Sequence, residues 1–446
     1  MKIFFSGIGG SGVSAIAGFA ADKGYSVTGT DRLFDKNPGH RIFKQLTENN
    51  ISIVPQDGRG INNSFDLAVF STAVEKNNPD FIAAENSGVK IKTRPEYLSE
   101  LVSQYRTIAV AGTSGKSTTA GMLAYIMQDL GMGPNYIGGG MVKQFKTERN
   151  AGNYLSGNSD MLIIEACESD GTIVNYKPYF SMISNLSLDH NPVEETAEMF
   201  RKLSGNTSGL VITSRDDENF QRFDIKGLKG FSIDNDSEYR AVDIEYLPFD
   251  TLFKVNGHKF LTQLPGRHNL YNALSCIAIL SEMGVPIEKI SVALAGFSGI
   301  ERRFDIHLKN GKYLVVDDYA HNPHKIASLM DTINKISRNV CYIFQPHGFG
   351  PTRLMKDGYI RVFSENLRKN DVLMLLPIYY AGGTTAKDIS SKDIAKGVAA
   401  SGKSAMVIED RNKVFNRSNK YSSYIVFGAR DDTLSDLAES IAEKLR

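Results

Sequence analysis

A glycine-rich stretch with the sequence IAVAGTSGKSTTAGML runs from Ile108 to Leu123 and carries the residue types that bind phosphate. Its pattern predicts a strand, a turn and the start of a helix, so that backbone N–H groups and the positive helix N-terminus face the anion. In such loops the lysine supplies a mobile charge and the next hydroxyl group binds Mg²⁺. We therefore predict a nucleotide phosphate site formed by Gly112, Thr113, Ser114, Gly115, Lys116, Ser117 and Thr118.

The loop departs from the usual phosphate-loop pattern at one position, because Val110 stands where the first glycine is expected. The alternative is a plain strand, turn and helix with a surface lysine, which leaves the cluster GKSTT unexplained. We interpret Lys116 as the catalytic cation and Ser117 as a metal ligand.

Acidic residues follow two apolar runs further along the chain, and they are candidates to hold the metal. The run MLIIEACESD carries Glu165 and Glu168, and YFSMISNLSLDH ends in Asp189 and His190. The carboxyl ends of parallel strands meet at one edge of a sheet, where ligands bind. Mg²⁺ prefers oxygen ligands, which makes Glu165 the first choice. On chemistry alone, His190 is either a second metal ligand or part of a His–Asp surface pair or helix cap.

A second glycine turn opens the chain in FFSGIGGSGVSAIAG, which includes Gly7, Gly9, Gly10 and Gly12. Asp31 stands at the end of the next expected strand, where an acidic residue can bind a ribose. An imperfect match of this kind is weak support for a dinucleotide such as NAD. Two interpretations stay open on the residues alone: a nucleotide site, or glycines that allow a helix to pack closely on a strand.

The composition excludes several classes of protein. The chain has 446 residues, of which 41% are hydrophobic, and a formal net charge of +1. It therefore has enough apolar residues for packed cores, and its charge gives no reason to expect nucleic acid or a membrane as partner. The cysteines are far apart and form no metal-binding pattern, so we expect reduced thiols. No apolar run approaches the roughly 20 residues that span a bilayer, and we expect a cytoplasmic protein.

The elements that position these residues are predicted by an alternation of apolar runs with helical stretches. Such alternation predicts parallel strands joined by helices. It recurs after TIAVAGTSGKS and again after FSGIERRFD, which we interpret as a boundary. A stretch from about Phe231 to Leu264 is expected to form a small antiparallel addition. We predict an α/β protein with three domains, which cover residues 1–104, 105–299 and 300–446.

Taken together, the motifs resemble those of the Mur ligases over nearly the whole chain. In chain order they are SGIGGSGVSAIA, TD at 30–31, VFSTAV, VAGTSGKSTT, IEACESD, NLSLDH, GRHNLYNA, ERRFD, DDYAHNP and FQPHG. The resemblance implies an N-terminal Rossmann-like domain that binds a UDP-linked sugar acid. It also implies a central P-loop ATPase-like domain and a C-terminal Rossmann-like α/β domain that contributes ATP contacts and binds the incoming amino acid. The first glycine turn then faces a UDP pyrophosphate rather than NAD.

The resemblance also implies roles for individual residues. The UDP-linked substrate is expected at Gly9, Gly10, Ser11, Gly12, Asp31 and Ser71. The metal is expected at Ser117, Glu165 and His190. For ATP, the implied contacts beyond the phosphate loop are His268 and Asn269 at the adenine, Asp318 at the ribose and Arg303 at the triphosphate.

The implied reaction is ATP-dependent amide formation through an acyl phosphate, in peptidoglycan precursor synthesis, with Mg²⁺ as cofactor. It joins an amino acid or peptide to the carboxylate of a UDP-N-acetylmuramate-type substrate. His321 in DDYAHNP is a candidate to handle the amine or its proton, or only to position it. The catalytic candidates are then Lys116, Glu165, His190, Arg303 and His321.

One motif departs from the family pattern and leaves the amine substrate open. FQPHGFGPTR has Gly348 and Pro351 where similar family members carry arginines that serve the incoming amino acid. Arg353 is a candidate substitute from a shifted position. The alternatives are therefore a ligase of recycling or specialised metabolism with a different acid or amine, or a regulatory binding protein with vestigial catalysis. We expect a monomer or a homodimer.

Overall fold

The computed structural model describes residues 1–37, 39–169, 171–188, 191–225, 227–380, 386–414 and 421–446. The chain divides into two compact units, Met1–Ile300 and Glu301–Arg446. The first unit contains two mainly parallel sheets and a small antiparallel sheet, and the second unit contains one sheet. In the described part of the chain, no helix is both long enough and apolar enough to cross a bilayer.

The N-terminal part of the first unit is a five-stranded parallel sheet with helices. Its strands are β1 (Lys2–Ser6), β2 (Ser26–Thr30), β3 (Ser52–Ile53), β4 (Leu67–Phe70) and β5 (Ile91–Thr93). Its helices are α1 (Ser11–Asp22), α2 (Arg32–Lys36), α3 (Arg41–Glu48), α4 (Pro79–Ser87) and α5 (Arg94–Gln104). The strand order β3-β2-β1-β4-β5 is the order of Rossmann sheets, which bind ligands where the order reverses beside β1.

Sequence patterns explain why these elements form where they do. Ile3, Phe4 and Phe5 are completely buried, as expected of a parallel strand that is covered on both faces and therefore lacks polar alternation. Helix α5 begins with a capping box, in which the Thr93 and Glu96 side chains each bond the other residue's backbone. The helix therefore starts at Arg94, directly after the capping residue Thr93.

The central part of the first unit is an eight-stranded sheet in the order β13-β12-β11-β10-β6-β9-β7-β8, in which only the pair β7–β8 is antiparallel. In chain order its elements are β6 (Arg106–Ala111), α6 (Lys116–Asp129), β7 (Asn135–Ile137), β8 (Tyr154–Leu155), β9 (Met161–Glu165), β10 (Phe180–Ile183), α7 (Val193–Asn206), β11 (Leu210–Ser214), α8 (Glu218–Arg222), β12 (Lys229–Ser232) and β13 (Tyr239–Arg240). Two 3-10 helices lie at Lys143–Phe145 and Thr172–Asn175.

The antiparallel addition is present, but it starts later than the sequence pattern indicates. It consists of β14 (Val242–Tyr246), β15 (Thr251–Val255) and β16 (His258–Thr262), and it is followed by α9 (Arg267–Glu282) and α10 (Ile287–Ala295). Phe231 instead belongs to β12, which continues the parallel sheet and pairs with Tyr239 of β13. Short strands of this kind look alike in sequence, and only their pairing partner assigns them to one sheet or the other.

The two larger sheets of the first unit share one cluster of buried side chains. The cluster includes Ile3 and Phe19 from the N-terminal part and Tyr154, Leu162 and Phe200 from the central part. Helix α1 approaches the β8 segment so closely that a Cβ atom added to Gly18 would lie 2.4 Å from the Tyr154 ring. The N-terminal sheet and the central sheet are therefore packed together through α1.

The second unit is a six-stranded sheet in the order β17-β18-β22-β19-β20-β21, with only β17–β18 antiparallel. Its elements are β17 (Asp305–Lys309), β18 (Leu314–Asp318), α11 (Pro323–Ile336), β19 (Val340–Gln345), α12 (Phe349–Asn366), β20 (Val372–Leu375), α13 (Ser391–Ala400), β21 (Ala405–Val407), β22 (Ser423–Gly428) and α14 (Thr433–Leu445). The predicted three-domain α/β architecture with parallel sheets is confirmed. The residue boundaries at 104 and 299 stay a prediction.

Candidate active site

The phosphate loop lies between β6 and α6, where the sequence pattern places it. Gly112 has a φ of 138° and Gly115, the N-cap of α6, a φ of 86°, a backbone conformation that glycine adopts without cost. A Cβ atom on Gly112 would lie 2.2 Å from Ser184 Oγ, and one on Gly115 would lie 2.4 Å from Asn272 Oδ1. Both glycines are therefore required by backbone conformation and by close packing.

Residues at the end of β10 hold this loop in shape, and sequence reasoning missed them. The Ser114 N–H donates to Asn185 Oδ1 at 2.8 Å, and Asn185 Nδ2 donates to the Ser114 carbonyl at 2.9 Å. The Thr113 N–H donates to the Asn185 carbonyl at 3.0 Å. Asn185 belongs to the motif NLSLDH, so its place at the carboxyl end of a strand next to β6 is the signal that would have found it.

Lys116 is buried, and its ammonium group is held by oxygen atoms of the loop and of a carboxylate. It donates to the Gly112 carbonyl at 2.6 Å and to Glu168 Oε2 at 2.8 Å. Burial lowers the pKa of Lys116, but the Glu168 carboxylate, with smaller contributions from Cys167 and Glu165, outweighs burial and raises the pKa above its usual value. The lysine is therefore a permanent cation at the loop.

Two of the three predicted metal ligands lie side by side. Ser117 Oγ donates to Glu165 Oε1 at 2.8 Å, and the Gly139 N–H donates to Glu165 Oε2 at 2.9 Å. A hydroxyl group and a carboxylate are the hard oxygen donors that Mg²⁺ prefers, so this pair fits the ion. The third predicted ligand, His190, and the neighbouring Asp189 lie outside the described residues. Among the described residues, no group of three or more His, Cys, Asp or Glu side chains forms a metal cluster.

The predicted adenine contacts lie in the first turn of α9. His268 is exposed, whereas Asn269 is buried, and its Nδ2 donates to the Pro265 carbonyl at 2.8 Å. Asn272, one turn further along the helix, donates to Asn269 Oδ1 at 3.1 Å and accepts from Thr119 Oγ1 at 3.0 Å. Asn272 was missed by sequence reasoning, although its spacing of three residues from Asn269 puts both on one helix face.

The N-terminal glycine turn borders a cavity of about 170 Å³ at the carboxyl ends of the strands of the five-stranded sheet. Its lining residues are Gly7, Gly10, Asp31, Arg32, Gln56, Ser71, Ala73, Val74, Glu75 and Asn78. Of the predicted contacts, Gly10, Asp31 and Ser71 line this cavity, whereas Gly9, Ser11 and Gly12 do not.

The Asp31 carboxylate shapes the glycine turn. Asp31 Oδ2 accepts from the Gly9 N–H and Asp31 Oδ1 accepts from the Leu33 N–H, both at 2.8 Å. The carboxylate therefore ties the turn after β1 to the start of α2, at the rim of the cavity.

The two arginines of the motif ERRFD differ in their surroundings within the second unit. Arg302 is 7% exposed, pairs with Asp317 Oδ2 at 3.1 Å and donates to the Gly428 carbonyl at 2.7 Å. Arg303 is half-buried, and its guanidinium lies 5.1 Å from the Tyr319 ring centre. Arg302, with φ 60°, and the residue after Arg303, with φ 50°, both have left-handed backbone. Strained residues of this kind cluster at functional sites, and here they flank Arg303.

The predicted ribose contact, Asp318, is held by backbone groups. Asp318 Oδ2 accepts from the Phe304 N–H and Oδ1 from the Ala320 N–H, both at 2.7 Å. Burial raises the pKa of Asp318, and it raises the pKa of the neighbouring Asp317 to about 6 against the opposing effect of Arg302. Asp318 therefore orders the turn that carries Arg303.

The His321 ring lies next to His347, which belongs to the motif that departs from the family pattern. His321 Nδ1 donates to the Tyr319 carbonyl at 2.9 Å, and its ring centre lies 5.4 Å from that of His347. Arg353 donates through Nε to Asp388 Oδ1 at 3.0 Å and through Nη2 to the Ala386 carbonyl at 3.0 Å. Arg353 is therefore paired with Asp388 at an exposed position, and its role as a substitute for the arginines expected at Gly348 and Pro351 stays a prediction.

Gly115→Ala is expected to weaken ATP binding at least about tenfold, because the new methyl group meets Asn272 and deforms the loop. Gly131→Ala is the matched control, since Gly131 also has a positive φ, 72°, but nothing lies within 4 Å of its added Cβ. Both variants should lose about 1–2 kcal/mol of unfolding free energy from backbone strain. Calorimetry with ATP distinguishes them, and equal ATP affinities for the two variants would contradict the role of the close contact.

The comparisons with known proteins fit this geometry. Residues 2–106 match a family model described as Mur ligase family, catalytic domain. Residues 110–280 match the Mur ligase middle domain, and residues 302–444 match the Mur ligase, glutamate ligase domain. The chain belongs to the Mur ligase family, and it is an ATP-dependent amide ligase of that class.

Within the family, the chain is similar to the following individual proteins. The chain is 31% identical to a UDP-N-acetylmuramate–L-alanine ligase of Persephonella marina, over 93% of this chain and 90% of that protein. It is 31% identical to the enzyme of the same name from Fusobacterium nucleatum, over 100% and 97% of the two chains. The crystal structure of the UDP-N-acetylmuramate-alanine ligase of Thermotoga maritima is similar with a TM-score of 0.83 at 27% identity, over 100% and 99% of the chains. A murein peptide ligase from Psychrobacter arcticus, 22% identical with a TM-score of 0.70 over 100% and 98% of the chains, shares the fold.

Proposed function

We propose that the protein joins an amino acid or peptide to the carboxylate of a UDP-N-acetylmuramate-type acid, in peptidoglycan precursor synthesis in the cytoplasm. The observation that carries the proposal is the set of contacts that brings Lys116, Ser117 and Glu165 to the phosphate loop of a Mur ligase chain. Relatives that match nearly the whole chain are named UDP-N-acetylmuramate–L-alanine ligases, and this supports the choice of acid.

The first step transfers the γ-phosphoryl group of ATP to the substrate carboxylate. Two anions must approach each other, so cationic groups have to screen their repulsion and stabilise the charge of the transferring group. Lys116 supplies such a cation, and we propose that it exchanges the Gly112 carbonyl and Glu168 for phosphate oxygens. We propose Arg303, Asp318, His268 and Asn269 as further ATP contacts.

The proposed metal is Mg²⁺, held by Ser117 and Glu165 with His190 as the third ligand. Support comes from the two adjacent oxygen donors, which match the preference of the ion. When bound, Mg²⁺ neutralises part of the charge on the phosphate groups.

The second step is attack of the amine on the acyl phosphate, followed by expulsion of phosphate. The amine must be neutral to attack, and the pKa of a free α-amino group is about 8. His321 Nδ1 donates to the Tyr319 carbonyl at 2.9 Å, which orients the ring. We propose that His321 takes up the proton that the amine loses, and a role in positioning the amine is the alternative.

A ligase that accepts no free amino acid is the second candidate. It is favoured by Gly348 and Pro351, which carry no charge, and by the pairing of Arg353 with Asp388. With these side chains, the segment offers no unpaired arginine for the carboxylate of a free amino acid. A peptide, or an amine without an adjacent carboxylate, fits this candidate.

Phosphate release separates the two candidates. With ATP, Mg²⁺ and UDP-N-acetylmuramate, we expect release only when an accepted amine from a panel of single amino acids and short muropeptides is present. Release with muropeptides but with none of the single amino acids favours the second candidate, whereas release with a single amino acid contradicts it. Reactions without the acid are the control. The proposed acid is wrong if no amine in the panel gives release above that control.

A further inference from the structure

A buried carboxylate lies beneath the N-terminal cavity, although sequence reasoning did not single it out. Asp80, in the first turn of α4, is completely buried. Its Oδ2 accepts from Ser6 Oγ at 2.9 Å and from Thr30 Oγ1, and its Oδ1 accepts from the Gly58 N–H at 3.0 Å. Asp80 therefore joins the ends of β1 and β2 to the loop after β3, next to residues that line the cavity.

The direction of these hydrogen bonds is fixed by chemistry. A carboxylate only accepts, so Ser6 must donate its single hydroxyl hydrogen to Asp80. Ser6 Oγ can then only accept from its other neighbours. The side-chain amide of Gln56 is one of them, and it must turn its NH₂ group towards Ser6, where Nε2 lies 3.0 Å from Ser6 Oγ.

The orientation of Gln56 decides what the cavity offers to a ligand. Gln56 lines the cavity, and its amide carries a donor on one side and an acceptor on the other. Because one N–H of Nε2 is committed to Ser6, the amide cannot turn over, and Oε1 stays available as an acceptor for a ligand beside the second N–H group. An amide in the reverse orientation would offer a donor instead.

We propose that Asp80 and Ser6 are positioning residues that fix the Gln56 amide, so that the cavity selects a ligand with a hydrogen-bond donor at this point. This inference rests on the proposed UDP-linked substrate. A uridine nucleotide has two groups of the required chemistry, the imide N–H of the base and the ribose hydroxyl groups. A cytosine base has an acceptor where uracil has its imide N–H.

Asp80→Asn is expected to reverse this chain of hydrogen bonds. The Gly58 N–H fixes the carbonyl oxygen of the new amide, so its NH₂ group takes the place of Oδ2 and donates to Ser6. The Ser6 hydrogen is then left for Gln56 or for Thr30 Oγ1, which lies 3.2 Å from Ser6 Oγ. Donation to Gln56 makes its side-chain amide rotate and offer NH₂ to the ligand. A donor now faces a donor, and we expect the Kd of UDP to rise about tenfold to 100-fold.

The test is a double-mutant cycle on the full chain, with the Kd of UDP measured by calorimetry for wild type, Asp80→Asn, Gln56→Ala and the double variant. We expect the Asp80→Asn effect to disappear in the Gln56→Ala background, because the reversed group is then absent. An equally large effect in both backgrounds overturns the proposal, since Asp80 would then act only on the structure. ATP affinity should stay unchanged in all variants that fold.

Further measurements keep the test decisive. If Asp80→Asn does not fold, Ser6→Ala takes its place: it frees the Gln56 amide, and its smaller effect on UDP should also vanish in the Gln56→Ala background. Failure of the wild type to bind UDP or UDP-N-acetylmuramate contradicts the proposed acid. If the wild type binds UDP but Asp80→Asn raises the Kd of UDP as much in the Gln56→Ala background as in wild type, only the proposed action of Asp80 and Ser6 on Gln56 is contradicted.

Nucleotide analogues locate the donor. If the wild type binds UDP more tightly than CDP, and this difference in affinity narrows in Asp80→Asn, the donor is on the base. If 2′-deoxy-UDP binds the wild type more weakly than UDP does, and this difference in affinity narrows in Asp80→Asn, the donor is on the ribose. If neither difference narrows, Gln56 selects nothing at this point and the proposal is overturned.

Discussion

Lys116→Met is expected to lower the rate of ATP-dependent ligation by at least about 10²–10³-fold, the usual loss when a group that stabilises transition-state charge is removed. Lys116 is the cation that the loop holds against Glu168, and the Glu168 carboxylate raises the pKa of Lys116, which keeps it charged at neutral pH. Coupled release of phosphate measures the rate. The Kd of UDP should not change, because the N-terminal cavity lies on a different sheet.

The control for this prediction must separate lost chemistry from lost stability. Removing Lys116 leaves Glu168, which is 2% exposed, as a buried charge without a counter-ion. The double variant Lys116→Met/Glu168→Gln has no such charge, so its unfolding free energy should recover while its activity stays low. Lys259→Ala, at an exposed position of β16, should behave as wild type. Recovery of ligation in the double variant would contradict the assignment of Lys116.

Arg302→Met should destabilise the second unit by about 3–5 kcal/mol, the usual cost of removing one partner of a buried ion pair. It leaves Asp317, which is completely buried, without its guanidinium. The neighbouring substitution, Arg303→Ala, should cost only about 1 kcal/mol, from its contact with the Tyr319 ring, and should instead lower the ligation rate. Urea unfolding and initial rates, measured on both variants, separate the two roles.

The stability that Arg302→Met loses is expected to depend on pH, because the carboxyl group of Asp317 titrates. The pKa of Asp317 is raised from 3.8 to about 6, so folding takes up a proton and stability falls as the pH rises between these values. Without the guanidinium, the ionised Asp317 carboxylate destabilises the fold further. The decrease in unfolding free energy caused by Arg302→Met should therefore be smaller in acid than at neutral pH. Arg302→Met/Asp317→Asn removes both charges and should recover most of the lost stability. If Arg302 and Arg303 variants lose equal stability, the assignment of the buried pair is wrong.

Local patterns in the sequence were sufficient to predict the strand, the turn and the helix around Lys116 and the alternation of strands with helices. Gly112 and Gly115 are identifiable because their backbone conformation excludes other residues, and β1 and β6 because buried parallel strands are continuous apolar runs. The capping pair Thr93 and Glu96 likewise gives the start of α5. These features depend on neighbours within a few residues.

The rest depended on contacts between residues far apart in the chain. Nothing local distinguishes Arg302 from Arg303, because burial of the first is decided by Asp317 and by the carbonyl of Gly428. Asn185 and Asp80 were missed for the same reason, since each bonds backbone or hydroxyl groups that loops and strands elsewhere in the chain supply. Polar residues of this kind look like ordinary loop or helix-start residues until the sheet brings their partners to them.

The N-terminal and central sheets of the first unit share one hydrophobic core, which limits where the protein can be cut into separately expressed fragments. Helix α1 fits against Tyr154 through Gly18, and Asn49 donates to the Tyr154 hydroxyl group at 2.9 Å. A fragment that stops at residue 104 would therefore expose to water the apolar side of α1 that Tyr154 now covers. Expression of the first 300 residues as one piece avoids that exposure, and such a fragment contains both the N-terminal glycine turn and the phosphate loop.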